Sequence, residues 1–526
     1  MLLTTISCFI INHYWYWFLI ELIVGSLSGM ICGMPEEEDK KIQQKAGRHL
    51  PSWEVGELPD VPSVGLKNWT ALIGPGIVLA GSNIGGGEWL FGPIVTARYG
   101  GQVMWLATLS IFFQVFYNLA VMRYTLYSGE PIMVGFMRTK PGPKFWAPFY
   151  LLADLGGIWP YLASNAAVPL AAAFLGRLPD VGDDSLIRNL GYAVFLAAFV
   201  PLIFGGKIYN AIERVMLTKI VLVFSYLSFI GIFLVSKETW IDVFTGFFKF
   251  GVLPAGEVDW PTLAAFAAIA GAGGLSNMTF SNYTRDKGWG MGRRVGAIPS
   301  MIGGRTIALS HVGKIFHINP DTLVKWRGWV RHIVRDQTAI WAVGCILGMA
   351  LPAILSREFI FGVTVEGHAA AAMTARGLAD RSGEIFWLLT LLCGFIVLAP
   401  GQVTDIDGIT RRWTDVIWTA NKRVRRMQGN QVKNIYYGIM FLYCLWGLLA
   451  LRLTPDPLVL AIVTTTLRNI GLGVSALHAL YVNRAMLPSA LRPAWYLQAG
   501  LVGSFVFFMG ISVIAFLQQW SRLTVS

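Results

Sequence analysis

Charge is scarce in this chain. Lys, Arg, Asp and Glu make up 14% of its 526 residues and apolar residues 55%, whereas a soluble domain is about 25% charged. With a mean hydropathy of +0.55, this composition argues against a water-soluble globular protein and for a polytopic membrane protein. Cysteine is rare as well. Cys8, Cys32, Cys345, Cys393 and Cys444 form no CxxC pair and sit mostly in apolar runs, which argues against a disulfide framework or a thiolate zinc site. His311, His317 and His332 share the loop 284–336 but match no zinc spacing. HExxH, Walker A and GxSxG motifs are missing, and little chain lies outside the apolar runs. An enzyme is therefore not expected, and neither is a cofactor. Period-2 alternation is sparse too, which argues against an outer-membrane barrel.

What is present is a succession of long apolar runs. About 20 such residues cross a bilayer as a helix. Eleven runs follow residue 68: 70–97, 102–127, 145–176, 189–205, 209–236, 260–283, 337–361, 383–408, 434–452, 456–482 and 494–519. The net charge of +12 need not mean nucleic acid, because the basic residues alternate in side. Arg123, Arg138, Lys140 and Lys144 follow the second run, ten basic residues from Arg285 to Arg335 follow the sixth, and Arg411 to Lys433 follow the eighth. The opposite loops carry Asp180, Asp183, Asp184, Glu238, Asp242, Glu257 and Asp259. The positive-inside rule then predicts a plasma (inner) membrane protein with a cytoplasmic N-terminus and an outer C-terminus. Within the N-terminal segment 1–34, Phe9 to Cys32 is apolar enough to span but lacks the basic start of a secretory signal. Translation is expected to begin at Met34 or Met30. Residues 35–68 read as a polar cytoplasmic lead-in.

Two runs are interrupted by glycine at the depth where a spanning helix should be continuous. GPGIVLAGSNIGGGEWLFGP, from Gly74 to Pro93, also carries Glu88, and the second stretch is AAIAGAGGLSN, from Ala267 to Asn277. Glycine costs a helix about 1 kcal/mol relative to alanine, and an unwound stretch in hydrocarbon must face protein or a wet cavity. Paired broken spans in two halves mark a transporter's substrate site. Runs one to five (69–237) and six to ten (238–483) then form two five-helix repeats of opposite topology, followed by an eleventh helix and tail (484–526). The fold class expected is an all-α membrane protein of the LeuT-like plan, with half-helix ends and freed backbone groups facing the cargo.

Four local stretches resemble the Nramp family of proton-coupled divalent-metal transporters, over roughly residues 68–490. GPGIVLAGSNIGGGEW is similar to the family's GPG…DPGN first span, ADLGGIW (Ala153–Trp159) to its TDLAEV, AIERVM (Ala211–Met216) to an LEK stretch, and APGQVTDIDGITRRW (Ala399–Trp413) to AGQSSTITGTYAGQ. The resemblance implies a divalent cation and protons as cargo. It places the family's side-chain ligands at Gly85 and Glu88 in the first break, and its methionine-proline-histidine triplet at Leu275, Ser276 and Asn277. The carbonyl contributors fall on Ser82 and Ala272, and the third-span aspartate on Asp154. The scaffold carries over, while most of the ligand side chains do not.

Glu88 is the first candidate as an ion ligand or proton carrier, since intramembrane acids face a cavity or a partner; pairing with Arg98 is the structural alternative. Asp154 is the candidate proton relay. Asn83, Ser276, Asn277 and Asn282 supply neutral oxygens near the breaks, which suit a hard ion such as Mg²⁺ or Mn²⁺. Arg468, inside the tenth run, must find an anion: Asp154, Glu88 or a substrate carboxylate. That last option supports a rival reading, a LeuT-like carrier of a small organic solute such as an amino acid. Asp405 and Asp407 read as a helix-end salt-bridge site beside Arg411 and Arg412.

Overall fold

In the computed structural model, the described residues are 36–63, 74–204, 208–256, 258–298, 312–364, 369–427, 431–453 and 456–525. The expectations for residues 1–34, Cys8, Cys32 and His311 fall outside them. A lead-in helix α1 (Glu36–Ala46) and a short strand β1 (Glu54–Val55) come first. The first apolar run is α2 (Pro75–Asn83), a π turn over Gly87–Phe91, and α3 (Gly92–Tyr99). Then follow α4 (Trp105–Ser128), α5 (Ile132–Arg138), α6 (Pro143–Ala153), α7 (Tyr161–Leu175), α8 (Asp184–Ala197), α9 (Ile208–Leu234) and α10 (Lys237–Gly246). The second half holds α11 (Trp260–Ile269), α12 (Thr279–Lys287), β2 (Lys314–Ile315), α13 (Pro320–Arg335), α14 (Val343–Phe359) and α15 (Met373–Ser382). It closes with α16 (Ile385–Ala420), α17 (Val432–Leu453), α18 (Pro457–Met486) and α19 (Trp495–Val525).

Among the described residues, ten helical stretches are long and apolar enough to cross a membrane. The broken first run, whose two α-helical pieces are individually too short, is the additional one. Burial sorts the stretches into centre and periphery. The best apolar window of Trp260–Lys287 is 94% buried against 28% for Ile208–Leu234, so the second broken run lies inside the bundle and α9 on its rim. On α9 the outward residues Val221, Leu222, Phe229, Ile232 and Phe233 are exposed apolar side chains, as a lipid-facing surface requires.

The runs end where hydropathy changes, but several helices do not. α13 joins α14 through a π turn over Asp336–Ala342, so this span begins at Pro320 rather than near residue 337. α16 continues to Ala420 rather than stopping near residue 408. In both places polar side chains are buried against protein, so a hydropathy window sees an end where the helix has none.

The lead-in is docked at the end of the bundle that carries the basic loops. β1 pairs in parallel with β2, with Glu54 opposite Lys314 and Val55 opposite Ile315. The Arg138 guanidinium donates to the carbonyls of Ala46 and Pro51 at 2.7 and 2.8 Å. Trp329 Nε1 donates to the Pro59 carbonyl at 2.8 Å.

Candidate functional site

The two breaks use glycine for different reasons. After α11, Ala270 leaves helical geometry, and Gly271, Gly273 and Gly274 take φ of 103°, 69° and 63°, a region costly for residues with a Cβ. In the first break Ile84 leaves the helix at ψ 77°, and the glycines there serve close approach. A Cβ on Gly87 would stand 2.3 Å from the Ile269 carbonyl oxygen, and one on Gly86 would stand 2.6 Å from the Tyr161 ring. The first break therefore lies directly against the end of α11, and the two gaps in the helical ladder meet.

A cavity opens at that meeting point. Ser82, Asn83, Gly86 and Gly87 line it from the first break, and Gly271, Ala272, Ser276 and Thr279 from the second. Tyr161 of α7, Thr404, Asp405 and Arg412 of α16, and Arg468 of α18 complete the wall. Thr404 and Arg412 stand eight residues apart on one face of α16, two helical turns on. The Ser82 and Thr404 hydroxyls are hydrogen-bonded to each other, tying the first break to α16. Arg468 pairs with Asp405 at 2.8 Å and lies over the Tyr161 ring, 5.3 Å from its centroid. Arg412 donates to both carboxylate oxygens of Asp154 at 2.9 Å and to the Thr279 hydroxyl at 2.9 Å. Two ion pairs thus flank the cavity, with Asp154, Arg412 and Arg468 buried and Asp405 partly exposed to it, and two guanidiniums and one carboxylate lie on its lining.

No family model and no curated protein matches this sequence. The folded chain is nevertheless similar to solved structures of the Eremococcus coleocola manganese transporter. A histidine-to-alanine mutant of that protein superposes with a TM-score of 0.57 at 15% identity, covering 87% of this chain and 88% of that one. A glutamate-to-glutamine mutant gives 0.58 at 15% identity with the same coverage of 87% and 88%. The transporter in complex with an aromatic bis-isothiourea substituted compound gives 0.51 at 14% identity, covering 89% and 90%. The chain has the fold of a manganese transporter. It is the LeuT-like plan expected from the paired breaks, and cargo has to be argued from residues, because a fold does not fix it.

On the manganese-transporter fold the expected site residues fall into two groups. Ser82 and Ala272 line the cavity, as do Asn83 and Ser276. Gly85, Glu88, Leu275 and Asn277 do not. Gly85 gives its amide to Glu88 at 3.1 Å. Glu88 is wholly buried on the π turn, away from the lining, and Arg98 pairs with Asp259 instead of with Glu88. Leu275 packs beneath Gly471. Asn277 donates to Gln114 and Asn118 at 3.1 and 2.7 Å, so its amide serves packing of the second break against α4. Asn282 is likewise engaged, donating to Asp415 at 2.6 Å.

Two ion-pair assignments need correction. Arg468 pairs with Asp405, not with Asp154 or Glu88, and Asp154 is held by Arg412. The third span is itself interrupted after Ala153 by a 3₁₀ turn over Leu155–Gly157, which delivers Asp154 to α16. Thr404 and Thr279 carry no signal in the sequence, and Asp405 and Arg412, expected only at a helix-end salt-bridge site, lie on the cavity wall instead. Asp407 does pair with Arg411, at 2.7 Å, but mid-helix, where Tyr283 and Tyr436 donate to its carboxylate at 2.8 and 2.6 Å.

Proposed function

We propose that this chain is a secondary transporter of the Nramp-related kind, carrying a divalent cation such as Mg²⁺ or Mn²⁺ coupled to protons. The observation that carries the reading is the oxygen-lined cavity where the two helix breaks meet. It offers the Asp405 carboxylate, the hydroxyls of Ser82, Thr404, Ser276 and Thr279, and the Asn83 amide. Among the described residues no Met or Cys lines it, so its chemistry suits a hard ion rather than a sulfur-seeking one. Among the described residues no three His, Cys, Asp or Glu gather as a ligand cluster. An ion bound here keeps part of its water shell, as Mg²⁺ commonly does. The cation takes the place of Arg468 at Asp405, and Arg468 turns to the Gly156 carbonyl, 3.4 Å from its Nε, and the Tyr161 ring. The basic loops support a plasma-membrane orientation with the N-terminus in the cytoplasm and the C-terminus outside.

A second reading is a carrier of a small organic solute, which the Arg468 and Arg412 guanidiniums favour because they match a carboxylate. Vesicles containing the purified protein decide between the two. Mn²⁺ or Mg²⁺ uptake is expected, with a loss of about tenfold or more in Asp405→Asn, one charged ligand being worth at least that much. Equal uptake by both forms removes Asp405 from the mechanism. Uptake of neither ion, together with a thermal midpoint raised by amino acids, replaces the cation reading with the solute reading.

A further inference from the structure

A buried chain of side-chain amides joins the start of the first broken helix to the second break. Gly76, near the start of α2, gives its backbone amide to Asp336 Oδ1 at 3.1 Å. Asp336 opens the π turn between α13 and α14. Gln337 Nε2 donates to Asp336 Oδ2 at 2.9 Å, Asn118 Nδ2 of α4 to Gln337 Oε1 at 2.9 Å, and Asn277 Nδ2 of the second break to Asn118 Oδ1 at 2.7 Å. Asn277 Nδ2 also donates to Gln114 Oε1 at 3.1 Å. That oxygen accepts from the Gly273 amide at 3.0 Å, and Gln114 Nε2 donates to the Ala270 carbonyl at 2.8 Å. All five side chains are wholly buried. The contact at the start of α2 is close, since a Cβ on Gly76 would stand 2.6 Å from Asp336 Oδ1.

A carboxylate only accepts hydrogen bonds, and that fixes the direction of each link. Gln337 turns its NH₂ to Asp336, so its oxygen faces Asn118. Asn118 turns its NH₂ to Gln337, so its oxygen faces Asn277. At the far end Gln114 is oriented independently, by the Ala270 carbonyl and the Gly273 amide. The Asn277 nitrogen is thus drawn to two oxygens, and its own Oδ1 is left buried without a partner, which is unfavourable for a buried acceptor. Asp336 forms no ion pair among the described residues; its compensation is the Gln337 amide and the free N–H in the first turn of α2. The charged and titratable groups nearby are engaged elsewhere. Lys287 of α12 holds Glu213 at 2.7 Å, Tyr209 of α9 donates to Glu213 at 3.3 Å, and Arg123 of α4 donates to the Leu491 carbonyl at 2.7 Å. On α13, His332 lies edge-on to the Trp289 ring, and neither it nor Arg335 pairs with the carboxylate. On α14, Cys345 accepts from Asn83 at 3.9 Å. α2 carries no titratable side chain.

We infer that Asp336 is a proton-binding site whose protonation reverses this amide chain and so is felt at both breaks. A proton adds to Asp336 Oδ2; one O–H bond forms, no other covalent bond changes, and the carboxylate becomes a donor. It donates to Gln337 Oε1. Gln337 turns its amide and donates to Asn118 Oδ1, and Asn118 turns and donates to Asn277 Oδ1. Asn277 keeps its donation to Gln114, so the reversed chain satisfies the oxygen that the ionised chain leaves bare. Release of the proton restores the first direction. The Gly76 amide meanwhile loses a charged acceptor, and charge-assisted bonds are about twice as strong as neutral ones. Protonation therefore loosens the start of α2 and turns Asn277, whose chain neighbour Ser276 lines the cavity.

The inference rests on the transporter reading for its use, and the test separates the two. Infrared difference spectra of the full chain in lipid vesicles, titrated in pH without any metal, read the switch alone. A titrating carboxylic-acid band is expected in the wild type and is lost in Asp336→Asn; Asp336→Glu, which moves the band instead of removing it, serves where Asp336→Asn does not fold. Asparagine side-chain bands, identified by ¹³C-labelled asparagine, are expected to shift at the same pH midpoint. Gln337→Met cuts the chain, so the acid band still titrates while the asparagine response is lost. Asn118→Leu cuts it one link further on, with the same result. An asparagine response that survives either cut overturns the relay, and the absence of any Asp336 band overturns the proton site. If neither cut variant folds, the wild type still decides, because asparagine bands with a midpoint different from that of the acid overturn the relay. Proton movement driven by a Mg²⁺ or Mn²⁺ gradient is expected to vanish in Asp336→Asn, while either metal still raises the thermal midpoint; undiminished proton movement overturns the coupling role. A switch that titrates as expected in a protein that moves neither ion leaves the relay standing and removes the cation cargo.

Discussion

Arg468 and Asp405 show how one residue can decide between cargoes. A cation needs Asp405 released from its guanidinium, whereas a carboxylate needs the guanidinium itself. Arg468→Met is therefore expected to act in opposite directions under the two readings. Leaving Asp405 without its partner on the cavity wall, where its side chain is 10% exposed, lowers stability by less than the roughly 3–5 kcal/mol lost when a fully buried pair is broken. Mg²⁺ or Mn²⁺ then raises the thermal midpoint more in this variant than in the wild type, because the ion supplies the missing positive charge. A smaller rise than in the wild type counts against the cation. Asp405 was hard to see in the sequence because hydropathy ends the eighth run near residue 408, which makes an acid at 405 look like a helix terminus. The helix continues because Asp407 and Arg411 satisfy one another within it, and Asp405 finds its own partner on α18. Glu88 was legible as a buried acid but misplaced. Three residues past Gly85 equal one turn only in a regular α-helix, and a non-helical Ile84 followed by a π turn carries its side chain off the cavity.

At the scale of elements, glycine clusters located both breaks, and the paired interruption pointed to the LeuT-like plan. Glycine content could not say that the second break needs positive φ and the first needs bare contact. That difference is testable. Gly87→Ala places a methyl 2.3 Å from the Ile269 carbonyl, so the two breaks must part. Uptake is expected to fall to background, with a lowered thermal midpoint. Gly438→Ala, in α17 with nothing within 4 Å of the added carbon, is expected to keep full uptake and gain up to about 1 kcal/mol in helix propensity. If Gly87→Ala transports as well as Gly438→Ala, close apposition of the two breaks is not required for function.

Across the whole molecule, the docked lead-in is the least legible part, because its polar, proline-containing sequence reads as solvated chain and its partners lie far along the sequence. Its anchor is Glu130, which accepts from Tyr124 Oη at 2.7 Å, Arg138 Nε at 2.8 Å and the Gly313 amide next to β2 at 3.0 Å. Arg138 in turn holds the lead-in carbonyls. Burial pushes the Glu130 carboxyl up, but the Arg138 guanidinium and the hydrogen bonds outweigh it and hold the group below the usual carboxylate range. A carboxyl depressed in the folded state adds stability above its unfolded value, about 4.3 for Glu, and loses that contribution as pH falls through the lower folded value. The lead-in is therefore expected to stay resistant to protease at neutral pH and to become cleavable on acidification below about pH 4. Arg138→Met leaves Glu130 buried and unpaired, at a cost of about 3–5 kcal/mol, and is expected to expose the lead-in at neutral pH. Glu130→Gln removes the group that titrates, so its cleavage is expected to show no acid step. An acid step that survives in Glu130→Gln assigns the transition to another carboxyl and separates the docking of residues 36–63 from this pair.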